Sequence, residues 1–219
     1  MSKKRKRINF SLEPISAMNE KQKKVLSCRE NQVLIGSAGT GKTFLATYLG
    51  LKEVLDERSD ITKLVFFRSA VPTRDIGFLP GNEKEKMEVY TRPYKGICSE
   101  LLKNGTAFEE LEFKGNIGFQ PTSFVRGTTL KNTFVIVDEC QNMTFHELDS
   151  LITRLGEDCK IIFCGDTEQA DLKNNGFGRF HGILRTMEEF STTSFEIEDI
   201  VRSDLVKSYL RNKSRYSKG

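Results

Sequence analysis

Short apolar runs alternate along this chain with longer stretches in which apolar residues return every three or four positions. The runs at 32–36, 64–68, 134–138 and 160–165 are rich in Val, Ile, Leu or Phe and bounded by polar or turn residues. That pattern predicts buried strands covered on both faces. A shorter strand is expected around 194–197. Helical periodicity is expected over 19–29, 42–57, 84–103, 145–155 and 180–190. Strand and helix in alternation predict an α/β domain with a mostly parallel sheet and helices on both faces. Ligands of such sheets sit at the carboxyl ends of the strands, so the chemistry is sought just after each apolar run.

Composition narrows the class. The 219 residues suit one domain, and 16 Phe can build its core although 29% of the residues are charged. No apolar run approaches the roughly 18 residues that a membrane span needs. Residues 8–14 do not form the apolar core of a signal peptide, so secretion is not expected. Cys28, Cys98, Cys140, Cys159 and Cys164 contain no C-x-x-C pair and stand beside only two histidines. They predict neither a zinc site nor a disulfide framework, and they fit a reducing, cytoplasmic setting. The net charge of +4 is segregated: residues 2–7 and 202–219 each carry +5, which leaves −6 for 8–201. Basic ends suit phosphate backbones, or they are simply solvated termini that keep the chain soluble.

After the first run come Gly36, Ser37, Ala38, Gly39, Thr40, Gly41, Lys42 and Thr43, a complete G-x-x-x-x-G-K-[ST] pattern opening a helix. Glycines let the backbone wrap with its N–H groups inward, and the helix N-terminus adds partial positive charge for an anion. Lys42 is placed to reach β- and γ-phosphates, and the Thr43 hydroxyl to ligate Mg²⁺. The third run delivers Asp138 and Glu139 to the same sheet edge. Asp138 suits a Mg²⁺ ligand, and Glu139 suits the base that orients and deprotonates water. The fourth run leads to Asp166 and Gln169, whose amide would serve the γ-phosphate side.

With these elements the sequence resembles the PhoH-like ATPases, which have a RecA-like core related to superfamily 1 helicases. The resemblance runs roughly from Glu20 to Tyr209. It rests on the phosphate loop, Gly77-Phe78-Leu79-Pro80-Gly81, Arg126-Gly127-Thr128-Thr129-Leu130, Asp138-Glu139-Cys140-Gln141-Asn142-Met143-Thr144, and the closing Asp199-Ile200-Val201-Arg202. It implies Mg²⁺-dependent ATP hydrolysis coupled to RNA or DNA, helicase action, and homo-oligomeric assembly. Ser203 stands where the family usually has histidine, and the nuclease activity that some relatives carry on a PIN module is not expected of these residues. The implied plan is a basic, flexible arm over 1–17, a PhoH-like RecA-type domain over 18–206 and a basic tail over 207–219.

Gln22, fourteen residues before the loop, resembles the glutamine with which helicase-like ATPases read adenine. Arg68, Arg74, Arg126 and Arg202 are candidates for the cation that neutralises transition-state charge, Arg202 and then Arg126 being preferred. One RecA-like lobe leaves the γ-phosphate side open unless another subunit covers it. The expectation is therefore a homo-oligomer, a ring of about six by analogy, with Arg202 or Arg126 acting on a neighbour's ATP. For single-stranded RNA or DNA the candidate surfaces are the basic ends and the segment 71–92, which mixes cations with the stackable Phe78, Tyr90 and, nearby, Tyr94. Met87, Tyr90 and Tyr94 also fall at helical spacing, which more often marks core. Two rival functions remain: a small P-loop kinase and a non-catalytic, nucleotide-gated scaffold.

Overall fold

The computed structural model describes residues 8–69, 83–122, 127, 129–166 and 176–216. Six strands form one sheet: β1 (Asn31–Gly36), β2 (Lys63–Arg68), β3 (Ile117–Pro121), β4 (Thr133–Val137), β5 (Lys160–Gly165) and β6 (Phe190–Phe195). Every pairing is parallel, in the order β3-β2-β4-β5-β1-β6. The helices are α1 (Glu20–Ser27), α2 (Lys42–Leu55), α3 (Glu83–Leu102), α4 (Ala107–Phe113), α5 (Phe145–Ile152), α6 (Gly176–Leu184) and α7 (Asp204–Tyr216).

Period-two alternation divides each strand between two cores. Leu34, Leu64, Phe66, Phe134, Ile136 and Ile162 face the layer built by α1, α2, α3 and α4. Val33, Val65, Phe67, Val135, Val137, Ile161 and Phe163 face α5 and α6. Both faces are covered, which is why the strands read as unbroken apolar runs. The result is a RecA-like α/β domain with its phosphate loop at the carboxyl edge. Among the described residues no helix is long and apolar enough to cross a membrane.

Several elements differ from the expectation. β3 and α4 lie where no regular element is expected, and the expected helix over 180–190 stands at Gly176–Leu184. Phe190 instead opens β6, and the strand sought around 194–197 is that strand's end. Part of the flexible arm expected over 1–17 is docked. Ile8, Phe10, Leu12 and Ile15 pack on the first core, and the Glu13 amide donates to the Leu101 carbonyl at 2.9 Å. The region expected as a tail from 207 is helical to Tyr216 as part of α7, which exposes Leu205, Tyr209 and Tyr216.

Candidate functional site

The site is built at the carboxyl edge by local conformations the sequence requires. After β1 the loop takes left-handed turns at Gly39 (φ +87°) and Gly41 (φ +88°), the latter capping the fourteen-residue α2. Such φ values suit residues without a Cβ. The free amides of the first helical turn therefore face the space above the loop. The Lys42 ammonium folds over this loop and donates to the carbonyls of Gly36 (2.6 Å) and Ser37 (2.9 Å).

β5 separates β1 from β4, so the loop and the acid pair start about two strand spacings, roughly 10 Å, apart. Side chains close that gap. The Thr43 hydroxyl donates to Asp138 Oδ1 at 2.9 Å, and the phenol of Tyr94, from α3, donates to Asp138 Oδ2 at 3.0 Å. Burial, reinforced by the Glu139 charge, pushes the Asp138 carboxyl up; the bonds from Thr43 and Tyr94 and the charge of Arg68 act against it. Burial and the Asp138 charge push the Tyr94 phenol well above its ordinary range, so it stays a donor.

Glu139 is held in the left-handed region (φ 53°) as the chain turns into a 3₁₀ segment. Its Oε2 accepts from Gln141 Nε2 at 2.6 Å, while Gln141 Oε1 accepts from the Asp166 amide at 2.9 Å. Gln141 is almost fully buried and thus ties the end of β4 to the end of β5.

Asn19 caps α1 by accepting the Gln22 amide at 2.8 Å, which sets Gln22 against the loop. The buried Gln22 side chain donates to the Thr40 carbonyl (3.2 Å) and accepts from the Met18 amide (2.9 Å). Lys21 pairs with Asp199 at 2.7 Å, fastening α1 to the closing segment. The Val201 amide then donates to the Gly39 carbonyl at 3.0 Å, and the Arg202 side chain lies over Gly39.

One cavity of about 590 Å³ joins these parts, lined by Gln22, Lys42, Thr43, Asp138, Glu139 and Arg202 among others. Ile15, Ser16, Met18 and Ile97 form a further wall. Its chemistry fits a magnesium nucleoside triphosphate: an amide cradle, an ammonium, and a hydroxyl–carboxylate pair. Among the described residues no group of three or more His, Cys, Asp or Glu could cage a metal. Magnesium at a phosphate site needs only one or two protein groups, because phosphate oxygens and water supply the rest.

The structure thus brings together the loop residues 36–43, Gln22, Asp138, Glu139 and Arg202. Arg68 is close enough for its charge to act on Asp138. Gln169, Arg126 and Arg74 lie outside the described residues. Tyr94, offered by the sequence as either a base-stacking side chain or core, is fully buried and so cannot stack on a strand; its bond to Asp138 was missed, as was the wall from Ile15 to Met18. Gln141 was visible only as part of the string that follows Asp138.

The chain is similar to known proteins over most of its length. The family described as PhoH-like protein matches over residues 14–212. A PhoH-like protein of Synechocystis sp. is 38% identical over 177 residues, covering 79% of this chain and 53% of that protein. Protein PhoH of Escherichia coli is 33% identical over 207 residues, covering 90% and 57%. Protein PhoH2 of Bacillus subtilis is 40% identical over 142 residues, covering 63% and 32%. The chain spans about half the length of the first two relatives and a third of the last.

Proposed function

The chain belongs to the PhoH-like protein family, a family of P-loop nucleoside triphosphatases, and on that premise we propose that it hydrolyses ATP with Mg²⁺ in a homo-oligomer that grips single-stranded RNA or DNA. The observation that carries the reading is the 2.9 Å bond from Thr43 to Asp138, which joins the phosphate loop to the acid strand inside one cavity.

In this reading the amides of 36–43 and the Lys42 ammonium hold the β- and γ-phosphates, and Gln22 backs the base end of the pocket. Thr43 and Asp138 would hold Mg²⁺, which supplies charge neutralisation to the phosphates. Glu139 accepts the proton of the attacking water as its oxygen bonds to the γ-phosphorus. The bond to the bridging oxygen breaks, and ADP and phosphate leave. Gln141 holds one Glu139 oxygen still, and Gln169 assists on the γ-phosphate side. Arg202 lies over its own chain's loop, so its guanidinium is assigned to that chain's nucleotide. Arg126 is then the candidate for a neighbour's site, in a ring of about six. Strand unwinding, the helicase form of the activity, requires this assembly.

The test is phosphate release at fixed ATP and Mg²⁺, with and without single-stranded RNA or DNA, at two salt concentrations. Glu139→Gln should lower turnover at least a hundredfold while nucleotide affinity stays within a few-fold. Release without any acceptor, stimulated by a strand at low salt and less so at high salt, supports the reading. Phosphate transferred only to an added small acceptor would make the protein a kinase, and tight ATP binding without turnover would make it a scaffold. Full activity in a sedimenting monomer would remove the oligomer from the account.

A further inference from the structure

We infer that Tyr94 is a positioning residue that aims the Asp138 carboxylate at the nucleotide-bound magnesium; the inference rests on the ATPase reading above. The carboxylate is buried and has a protein donor on each oxygen, Thr43 on Oδ1 and Tyr94 on Oδ2. Two donors on opposite oxygens fix the plane of the group and leave its remaining lone pairs toward the cavity it lines. The two donors come from different helices of the covering layer: Thr43 stands in the first turn of α2, directly after the phosphate loop, and Tyr94 stands on α3.

That layer holds the phenol rigidly. The Tyr94 ring is fully buried and stacks on Phe66 of β2, with centroids 4.2 Å apart and planes 18° apart. Phe119 of β3 lies at 5.9 Å from it, and Tyr90, one turn earlier, is parallel to the Phe119 ring at 6.3 Å. Lys95, next along α3, pairs with Glu109 of α4 at 2.9 Å and so braces the helix from outside. A residue required only to fill this core would do so as phenylalanine. The hydroxyl is spent on Asp138 alone, since no other hydrogen bond is made by it among the described residues. Partners that orient a metal ligand in this way typically carry about ten- to a hundredfold in metal affinity.

The discriminating variant is Tyr94→Phe, which keeps the ring and removes the donor. Binding of a methylanthraniloyl ATP analogue is titrated with Mg²⁺ and repeated in EDTA, alongside a thermal melt. The expected result is a magnesium half-saturation raised about tenfold, an EDTA affinity within twofold of wild type, and a melting point within a few degrees. On an Asp138→Asn background the same change should add nothing to the magnesium requirement. Superimposed magnesium curves would overturn the inference and leave the ATPase reading standing. A loss equal with and without Mg²⁺, or a Tyr94→Phe chain that does not fold, would overturn it by making the hydroxyl a packing element. A wild-type chain that binds no nucleotide under either condition would overturn the ATPase reading, and this inference with it.

Discussion

At the residue scale the site depends on backbone conformations that few side chains tolerate. Gly39 sits at φ +87°, and a Cβ there would come within 2.9 Å of Arg202 Cδ and 3.1 Å of its Nε. The conformational penalty dominates, because the exposed Arg202 side chain can shift aside. Gly39→Ala should destabilise the chain by about 1–3 kcal/mol in urea unfolding and weaken nucleotide binding. Adding Arg202→Ala removes the collision but not the strain, so the double variant should stay roughly 1–2 kcal/mol below Arg202→Ala alone. Glu139 carries the complementary signal. It is held at φ 53° with a full side chain, and strain of that kind gathers at functional sites. The loop and the acid pair were legible in the sequence because glycine spacing and adjacent carboxylates are local features. The Tyr94 phenol was not, because its partner lies 44 residues away and only packing unites them.

At the element scale the sheet edge is clasped by α5. Thr144 and Glu147 form a reciprocal capping box at its first turn, and Glu147 Oε1 also accepts from Thr122 at the end of β3 at 2.5 Å. Burial pushes the Glu147 carboxyl up, but the bonds from Thr122 and from the Thr144 amide and hydroxyl together outweigh it and hold it below its ordinary value of 4.5. A carboxyl lowered by folding stabilises above its unfolded pKa, and that gain is lost as pH falls through the folded one. Glu147→Gln should therefore cost about 1–2 kcal/mol at pH 7. The gap from wild type should narrow as urea unfolding is repeated from pH 4.5 down to pH 3. The elements that escaped sequence reasoning have physical excuses. Among the described residues β3 pairs only with β2, and its Gly118, Gln120 and Pro121 suit an edge strand rather than a central one. α4 has only seven residues, and its Thr106 makes no side-chain cap. α7 is amphipathic, but its positive charge dominated the reading of that stretch.

At the scale of the whole molecule, burial sorts the five thiols. Cys98, Cys140 and Cys164 are buried, and burial pushes Cys98 up to about 12 and the other two well above their ordinary range. Burial and the Glu30 carboxylate raise Cys28 as well. Ellman's reagent at pH 8 should therefore reach Cys159 first and Cys28 more slowly, with the other three released only on unfolding. Early reaction of a third thiol would contradict the two-layer packing. The sequence by itself determined the α/β class, the central strands and the chemistry waiting at the ends of β1 and β4. Apolar period and turn residues act over a few positions and need no distant partner. Only the tertiary structure decided that β5 stands between those two strands, that Arg202 closes over Gly39 of its own chain, and that Asp138 is gripped from α3. Those contacts join residues far apart along the chain, and only the packed sheet and its covering helices bring them within bonding distance.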